Sequence, residues 1–222
     1  MEIRWYTLRE IRHQLGFTSP KGIFIPNTGL DKIERFRPHC IWGTDGKYMN
    51  VIINGESFHW VWQCLVEYKT TVLVGGLIGR IENTDNLLEA IKRSAASTGV
   101  TPMAIVLDNR LSENLPAIKG YLDDLGISII KTFPGNAKSN GIVEGNFSIF
   151  EKWVGGKVEI NGNNAEEFSR SIANVLAEVF TQLRNHHPRK SFSNKSAAEV
   201  LNEATPMTSE EKAKIQERIL AL

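Results

Sequence analysis

Several things are scarce in this sequence, and each shortage closes off a class of protein. Only two cysteines occur in 222 residues, Cys40 and Cys64, too few for a disulfide framework. Cys64 sits inside an apolar run and reads as a small buried hydrophobe; such usage suits a reducing compartment. No apolar run approaches the roughly 18 residues needed to cross a bilayer, and the first residues lack a signal-peptide pattern. A cytoplasmic protein with no membrane partner is therefore expected. Repeats and low-complexity tracts are missing too. Charge of either sign is not in excess: the net value is +1, far from the basic balance of a typical nucleic-acid-binding domain.

What is present is an ordinary globular composition, 41% hydrophobic and 23% charged, with a core large enough to fold without staples. The charge is unevenly spread. Residues 1–40 hold 7 Lys and Arg against 4 acids, residues 41–180 hold 12 against 16, and residues 181–222 hold 7 against 5. An acidic middle between basic ends fits a metal site flanked by nucleic-acid contacts, and also fits chance.

Residues 1–40 are short and mixed: a helix of about two turns over Thr7–Leu15, with Leu8, Ile11 and Leu15 on one face, then an irregular Pro- and Gly-containing connection. From Ile41 the pattern turns to strands. "IWGTDGKYMNVIIN" is a strand ending in the hairpin signal Asn54-Gly55. "SFHWVWQCLVEY" and "TTVLVGGLIG" are second and third strands, rich in β-branched and aromatic residues; Gly75-Gly76 within the third marks a bulge. Asn83 or Thr84 then caps a helix bearing Leu87, Leu88, Ile91 and Ala95, ended near Gly99. "MAIVLD" is a strand buried on both faces, Asn114–Leu125 a helix stopped by Gly126, and "ISIIK" the fifth strand. Three antiparallel strands followed by crossover units describe an α/β protein, a five-stranded mixed sheet flanked by helices.

After Pro134 comes a polar loop and then a helix from about Asn140 that contains Glu144. "WVGGKVEINGN" interrupts with turn signals. A long amphipathic helix over about Ala165–Arg184 places Phe168, Ile172, Val175, Leu176, Val179 and Leu183 at helical spacing. The stretch 184–195 has four basic residues and no acid. A small helix near Ala197–Leu201 follows, and Thr208 with Glu211 has capping-box spacing at the start of a last helix.

Three acids stand out against this order. Asp45 lies in the first strand, Asp108 ends the fourth, and Glu144 follows the fifth on a helix. In such a sheet the first and fourth strands are often neighbours, so the two aspartates can stand side by side with Glu144 reaching over them. Three hard oxygen ligands suit Mg²⁺, and a pair of such ions supports in-line displacement at phosphorus. Each acid alone is weak evidence: an aspartate at a strand end is commonly a solvated cap, and a glutamate early in a helix opposes the dipole. Asp108, however, ends a strand that is otherwise wholly buried, where a charge has to be paired or metal-bound.

The local words carry a resemblance. Between Asp108 and Glu144 lie 35 residues, the D,D-35-E spacing of retroviral-type integrases and related bacterial insertion-sequence transposases. "IWGTDGKYM" resembles that family's Trp-x-x-Asp strand, "VLDNRLSEN" its Asp-Asn-Gly-Ser-Glu segment, and "FPGNAKSNGIVEGNF" its Pro-x-x-x-x-Ser-Asn-Gly-x-Val-Glu helix. "RNHHPRKSFSNKSAAEVL" is similar to the Asn-x-x-Pro-Arg ending of many insertion-sequence transposases. The likeness runs from about Ile41 to Leu201. Arg110 stands where the family usually has glycine, Ala198 where it has proline, and Glu151 where a basic residue is usual seven places after the glutamate, with Lys152 one place late. The helix-turn-helix or zinc-binding region usual at the N-terminus has at most a remnant here.

The resemblance implies an RNase H-like fold and a DDE transposase or integrase, a two-metal-ion polynucleotidyl transferase that cleaves DNA strands and joins them by strand transfer. It implies that Mg²⁺, with Mn²⁺ as substitute, is held as two ions by Asp45, Asp108 and Glu144, Asp45 binding both. The implied partners are double-stranded DNA (element ends and target), further copies in a homo-oligomer, and a separate chain supplying N-terminal DNA recognition. The expected layout is a remnant or linker over 1–40, the catalytic core over 41–187, and a basic segment with helices over 188–222. Lys138, Asn140, Lys152, Arg184, Arg189 and Lys190 are the candidate DNA contacts, with a solvated surface as the alternative. His186-His187 reads as a solvated turn, and Trp42, Trp60, Trp62 and Trp153 as core or flank packing. Asn109 and Asn140 flank the acids, as site-ordering groups or as plain caps. Two other functions stay open: an RNase H-like nuclease without joining activity, and an inactive or truncated transposase remnant acting only as a DNA-binding or interaction module.

Overall fold

Two long strands joined by a two-residue turn frame the molecule. The computed structural model describes residues 37–107, 115–131, 141–155, 157–162 and 166–220, so the expected Thr7–Leu15 helix lies outside the described residues. Strand β1 (Ile41–Ile53) and strand β2 (Glu56–Glu67) run antiparallel in unbroken register from Trp42↔Glu67 to Ile53↔Glu56. Asn54 and Gly55 between them both have positive φ, 50° and 87°, the geometry of the type I′ turn that Asn-Gly favours. Strand β3 (Leu73–Gly79) pairs antiparallel with β2, and the register shifts between Leu65 and Val66. The expected bulge is there, beside Gly75.

Helix α1 (Thr84–Thr98) follows, capped by Asn83, whose side chain accepts from the Asn86 N–H at 2.8 Å, and closed by Gly99 at φ 67°. Strand β4 (Ala104–Leu107), helix α2 (Leu115–Asp124) and strand β5 (Ser128–Lys131) form the crossover units. Both strands are parallel to β1, and the sheet runs β3-β2-β1-β4-β5. Helix α3 (Gly141–Trp153), helix α4 (Glu166–His186), a 3₁₀ turn over Lys190–Phe192, helix α5 (Ala197–Asn202) and helix α6 (Ser209–Leu220) complete the order. Thr208 and Glu211 exchange the hydrogen bonds of a capping box at the start of α6.

Two expectations are corrected. The segment read as an interruption contains a sixth strand, β6 (Lys157–Ile160), parallel to the last residues of β1 from Asn50 to Ile53. Four residues with alternating exposure are too short for a period to show, and only the last residues of β1 give them a partner. The second concerns α4. Its buried residues are Ser169, Ala173, Ala177 and Phe180, while Val175, Val179 and Leu183 are 55%, 50% and 58% exposed. Small residues let the helix approach the sheet closely, so the inward stripe is the weaker hydrophobic signal and the apolar stripe looks outward.

Period-2 alternation divides the core between the two faces of the sheet. On one face Met49, Val51, Ile53, Trp60, Trp62 and Cys64 pack with Val143, Phe147 and Phe150 of α3, with Ala173, Ala177 and Phe180 of α4 and with Ile215 and Ile219 of α6. On the other, Trp42, Leu65, Ile105 and Leu107 meet α1 and α2. Trp62 is ringed by Phe147, Phe150 and Phe180 at centroid distances of 5.6 to 6.0 Å. Three of the four tryptophans singled out from the sequence are thus core, and Trp153 packs at the flank against Phe180 and His187.

Truncating Phe150, buried between Trp62 and Phe180, is expected to cost about 3–5 kcal/mol; urea denaturation of Phe150→Ala against wild type measures it. Both thiols should be silent in the native state. Burial pushes Cys40 up to about 11, and it raises Cys64 well above its usual value with a further contribution from the Asp45 carboxylate. A thiol reagent is expected to label neither cysteine near neutral pH and both after unfolding in guanidinium.

Candidate active site

Strand β1 has one edge taken by β2 along nearly its whole length, and the other is shared. Strand β4 pairs with Ile41, Trp42 and Gly43, and β6 pairs with Asn50 to Ile53. Between them, at residues 44–49, that edge of β1 has no strand partner among the described residues. Asp45 lies in this notch, half-buried, with Cys64 opposite it on β2. Its Oδ1 accepts the N–H of Gly46 at 2.8 Å. By alternation its side chain shares a face with Met49 and Val51, the face covered by α3 and α4.

Glu144 is in the first turn of α3 and exposed, while Val143, Asn146, Phe147 and Phe150 of the same helix are buried. The level of the helix along β1 is fixed by the ion pair of Lys47 with Glu151. Asp45 and the helix that carries Glu144 therefore lie on one face of the sheet. Asp108 lies outside the described residues. Strand β4 ends at Leu107, and Gly43 pairs with Val106, so Asp45 and Asp108 each follow that paired couple by two positions. Among the described residues no three His, Cys, Asp or Glu side chains are grouped as a metal site. The two described acids are hard oxygen donors of the kind Mg²⁺ takes.

The candidate DNA contacts separate. Lys138 and Asn140 lie outside the described residues, as does Asn109. Lys152 is exposed in the last turn of α3, and Lys190 is exposed in the 3₁₀ turn. Arg184 and Arg189 are different. Arg184 donates from Nε to Asn146 Oδ1 at 3.0 Å. Arg189 donates to the Thr71 hydroxyl and, at 3.1 Å, to the backbone carbonyl of Arg184. Burial lowers the Arg184 pKa, and burial plus the charge of Arg184 brings Arg189 down to about 10. Asn146 and Thr71, which hold these arginines, carried no signal in the sequence beyond being polar. His186 and His187 are exposed, as the solvated-turn reading expects.

No protein-family model matches this chain and no curated protein does; solved structures do. A chain in the cryo-EM structure of the simian T-cell lymphotropic virus intasome, in complex with PP2A regulatory subunit B56 gamma, superposes with a TM-score of 0.57 at 18% identity, covering 78% of this chain and 60% of that one. The present chain thus spans about 60% of that chain's length. The HTLV-2 integrase catalytic core domain in complex with magnesium, in its dimeric form, gives a TM-score of 0.54 at 12% identity over 75% of this chain and 98% of that one. This chain is similar to retroviral integrase catalytic cores, and its mixed sheet with flanking helices is their RNase H-like fold.

Glu144 is exposed and has no hydrogen bond or ion pair among the described residues. Glu144→Gln is expected to shift Tm by less than about 2 °C, as differential scanning calorimetry would show; a larger drop would mean that the carboxylate is structural.

Proposed function

We propose that this chain is the catalytic core of a DDE-type transposase or integrase, cleaving DNA and transferring strands with Asp45, Asp108 and Glu144 as the metal-binding acids. One observation carries the reading. Among the described residues the edge of β1 is open between β4 and β6 at Asp45, on the sheet face covered by α3, whose first turn bears Glu144. The integrase-like fold and the D,D-35-E spacing support it. Bound Mg²⁺, or Mn²⁺ in its place, would supply Lewis-acid activation of an attacking oxygen and charge neutralisation at phosphorus. The chain's own part is placement. A rigid central strand holds Asp45, the Lys47–Glu151 ion pair fixes the helix bearing Glu144, and partial burial of Asp45 strengthens its hold on a cation.

Duplex DNA and further copies of the chain are the partners in this reading, and the outward stripe of Val175, Val179 and Leu183 offers apolar surface for assembly. A separate DNA-recognition chain remains part of the proposal, as does the division into a linker over 1–40, a core over 41–187 and a basic C-terminal segment over 188–222. Among the described residues no helix is long and apolar enough to cross a membrane.

Crystals soaked in Mn²⁺ test the site directly. An anomalous peak between Asp45, Asp108 and Glu144 is expected, and it should vanish in Asp45→Asn. In parallel, nicking of supercoiled plasmid in Mn²⁺ should fall at least ~100-fold in Asp45→Asn, since loss of an outer-shell partner alone costs 10- to 100-fold. Undiminished nicking in that variant would refute the assignment. Product analysis on DNA ends then separates joining from cleavage alone.

A further inference from the structure

We propose that Arg184 and Arg189 form a subsite for a backbone phosphate of the nucleic acid held at the Asp45 and Glu144 region, an inference that rests on the preceding reading. These two guanidinium groups differ from the ion-paired cations among the described residues. Arg37, Lys47, Arg80, Arg93 and Lys195 all pair with a carboxylate. Among the described residues Arg184 and Arg189 hydrogen-bond only to neutral acceptors, an amide oxygen, a hydroxyl and a backbone carbonyl, and Arg189 also lies over the Phe192 ring. Arg189 Nε is buried and has no hydrogen-bond partner among the described residues.

Two adjacent, partly desolvated like charges are unfavourable without a counter-charge. The C-terminal end of α4 provides roughly half a negative charge, which offsets part of one cation and leaves the pair in excess. The Arg189 bond to the Arg184 carbonyl caps that helix end, but it uses a terminal nitrogen and leaves the Nε edge over. A forked donor set beside a second guanidinium is what a phosphate's several oxygens accept.

Location connects the pair to the site. Asn146, the partner of Arg184, lies two residues after Glu144 on α3, the helix that covers the face bearing Asp45. Asn185 bonds both the N–H and the carbonyl of Leu73, each at 2.9 Å. Leu73 pairs with Val66, and Val66 with Gly43. The end of α4 is therefore level with Gly43, roughly 7 Å along the strand from Asp45, and two strands across the sheet, roughly 10 Å. At 3.4 Å of rise per nucleotide in one strand, a phosphate there is a few nucleotides from the reacting one.

Fluorescence anisotropy of a labelled duplex against salt tests the inference. Arg184→Gln and Arg189→Gln should each reduce the magnitude of the log K against log salt slope by about 1 and weaken binding equally on unrelated sequences. Arg189→Lys should restore the slope, while Lys214→Gln on α6 should leave it unchanged. Melting curves guard against misfolding: inorganic phosphate should raise the wild-type Tm and leave that of the double Gln variant unmoved. Unchanged slopes in folded Arg variants overturn the proposal, even if the wild type nicks plasmid and the catalytic reading stands. A wild type that binds no duplex but is stabilised by phosphate overturns the nucleic-acid assignment, making the source a free phosphate. Flattened slopes in a protein that never nicks DNA support the subsite and count against the catalytic reading alone.

Discussion

Strand β1 belongs to three ladders at once. It is antiparallel to β2 through Trp42–Ile53, parallel to β4 at its start and parallel to β6 at its end. Both faces are covered, so most of its side chains must be apolar, and Trp42, Thr44, Met49 and Val51 to Ile53 are all buried. Such a strand cannot shift by one residue without exchanging its two hydrophobic sets. That constraint is also what fixes Asp45. A charged residue is tolerated there because the β4/β6 edge opens at its level. Tyr68 closes over Gly43, where an added Cβ would stand 2.2 Å from its ring, so the chain just before the notch is packed too tightly for any side chain.

The same face shows how the flanking helices are held. Trp62 on β2 gathers Phe147, Phe150 and Phe180, which joins α3 to α4 through one aromatic cluster. The Trp60 indole N–H donates to Ser169, and Arg184 bonds Asn146, so polar ties sit at both ends of α4, one to the sheet and one to α3. The position of Glu144 thus follows from apolar burial of its helix neighbours three and six residues on, and its own side chain is left out of the packing.

Much of this was legible in the residues because each signal was local. Asn54-Gly55 defines its turn, Asn83 and Gly99 bracket α1, and "AIVL" is apolar throughout because β4 is buried on both faces. The acids could be singled out because family words surround them. What escaped was set by tertiary context. Strand β6 is four residues with no usable period, and its existence depends on the end of β1. Helix α4 turns Val175, Val179 and Leu183 outward although they share the apolar spacing, while Ser169, Ala173 and Ala177 are inward with Phe180, because close approach demands small side chains. Asp108 and its flanking loop fall outside the described residues, so that part of the site rests on the spacing and on the register of β4.

One ion pair bears on the cations around the notch. Glu151, seven places after Glu144, is neutralised by Lys47 from β1. The pair keeps a cation near the site but turns it inward, since the Lys47 side chain is only 17% exposed and tied to the helix. A polyanion approaching this face meets little free positive charge from α3 except Lys152 at its far end. Arg184 at the end of α4 and Arg189 just beyond it pair with no acid among the described residues. The near-zero net charge is compatible with binding a phosphate backbone, because a strand lying across β1 meets the local arrangement of cations and not their total.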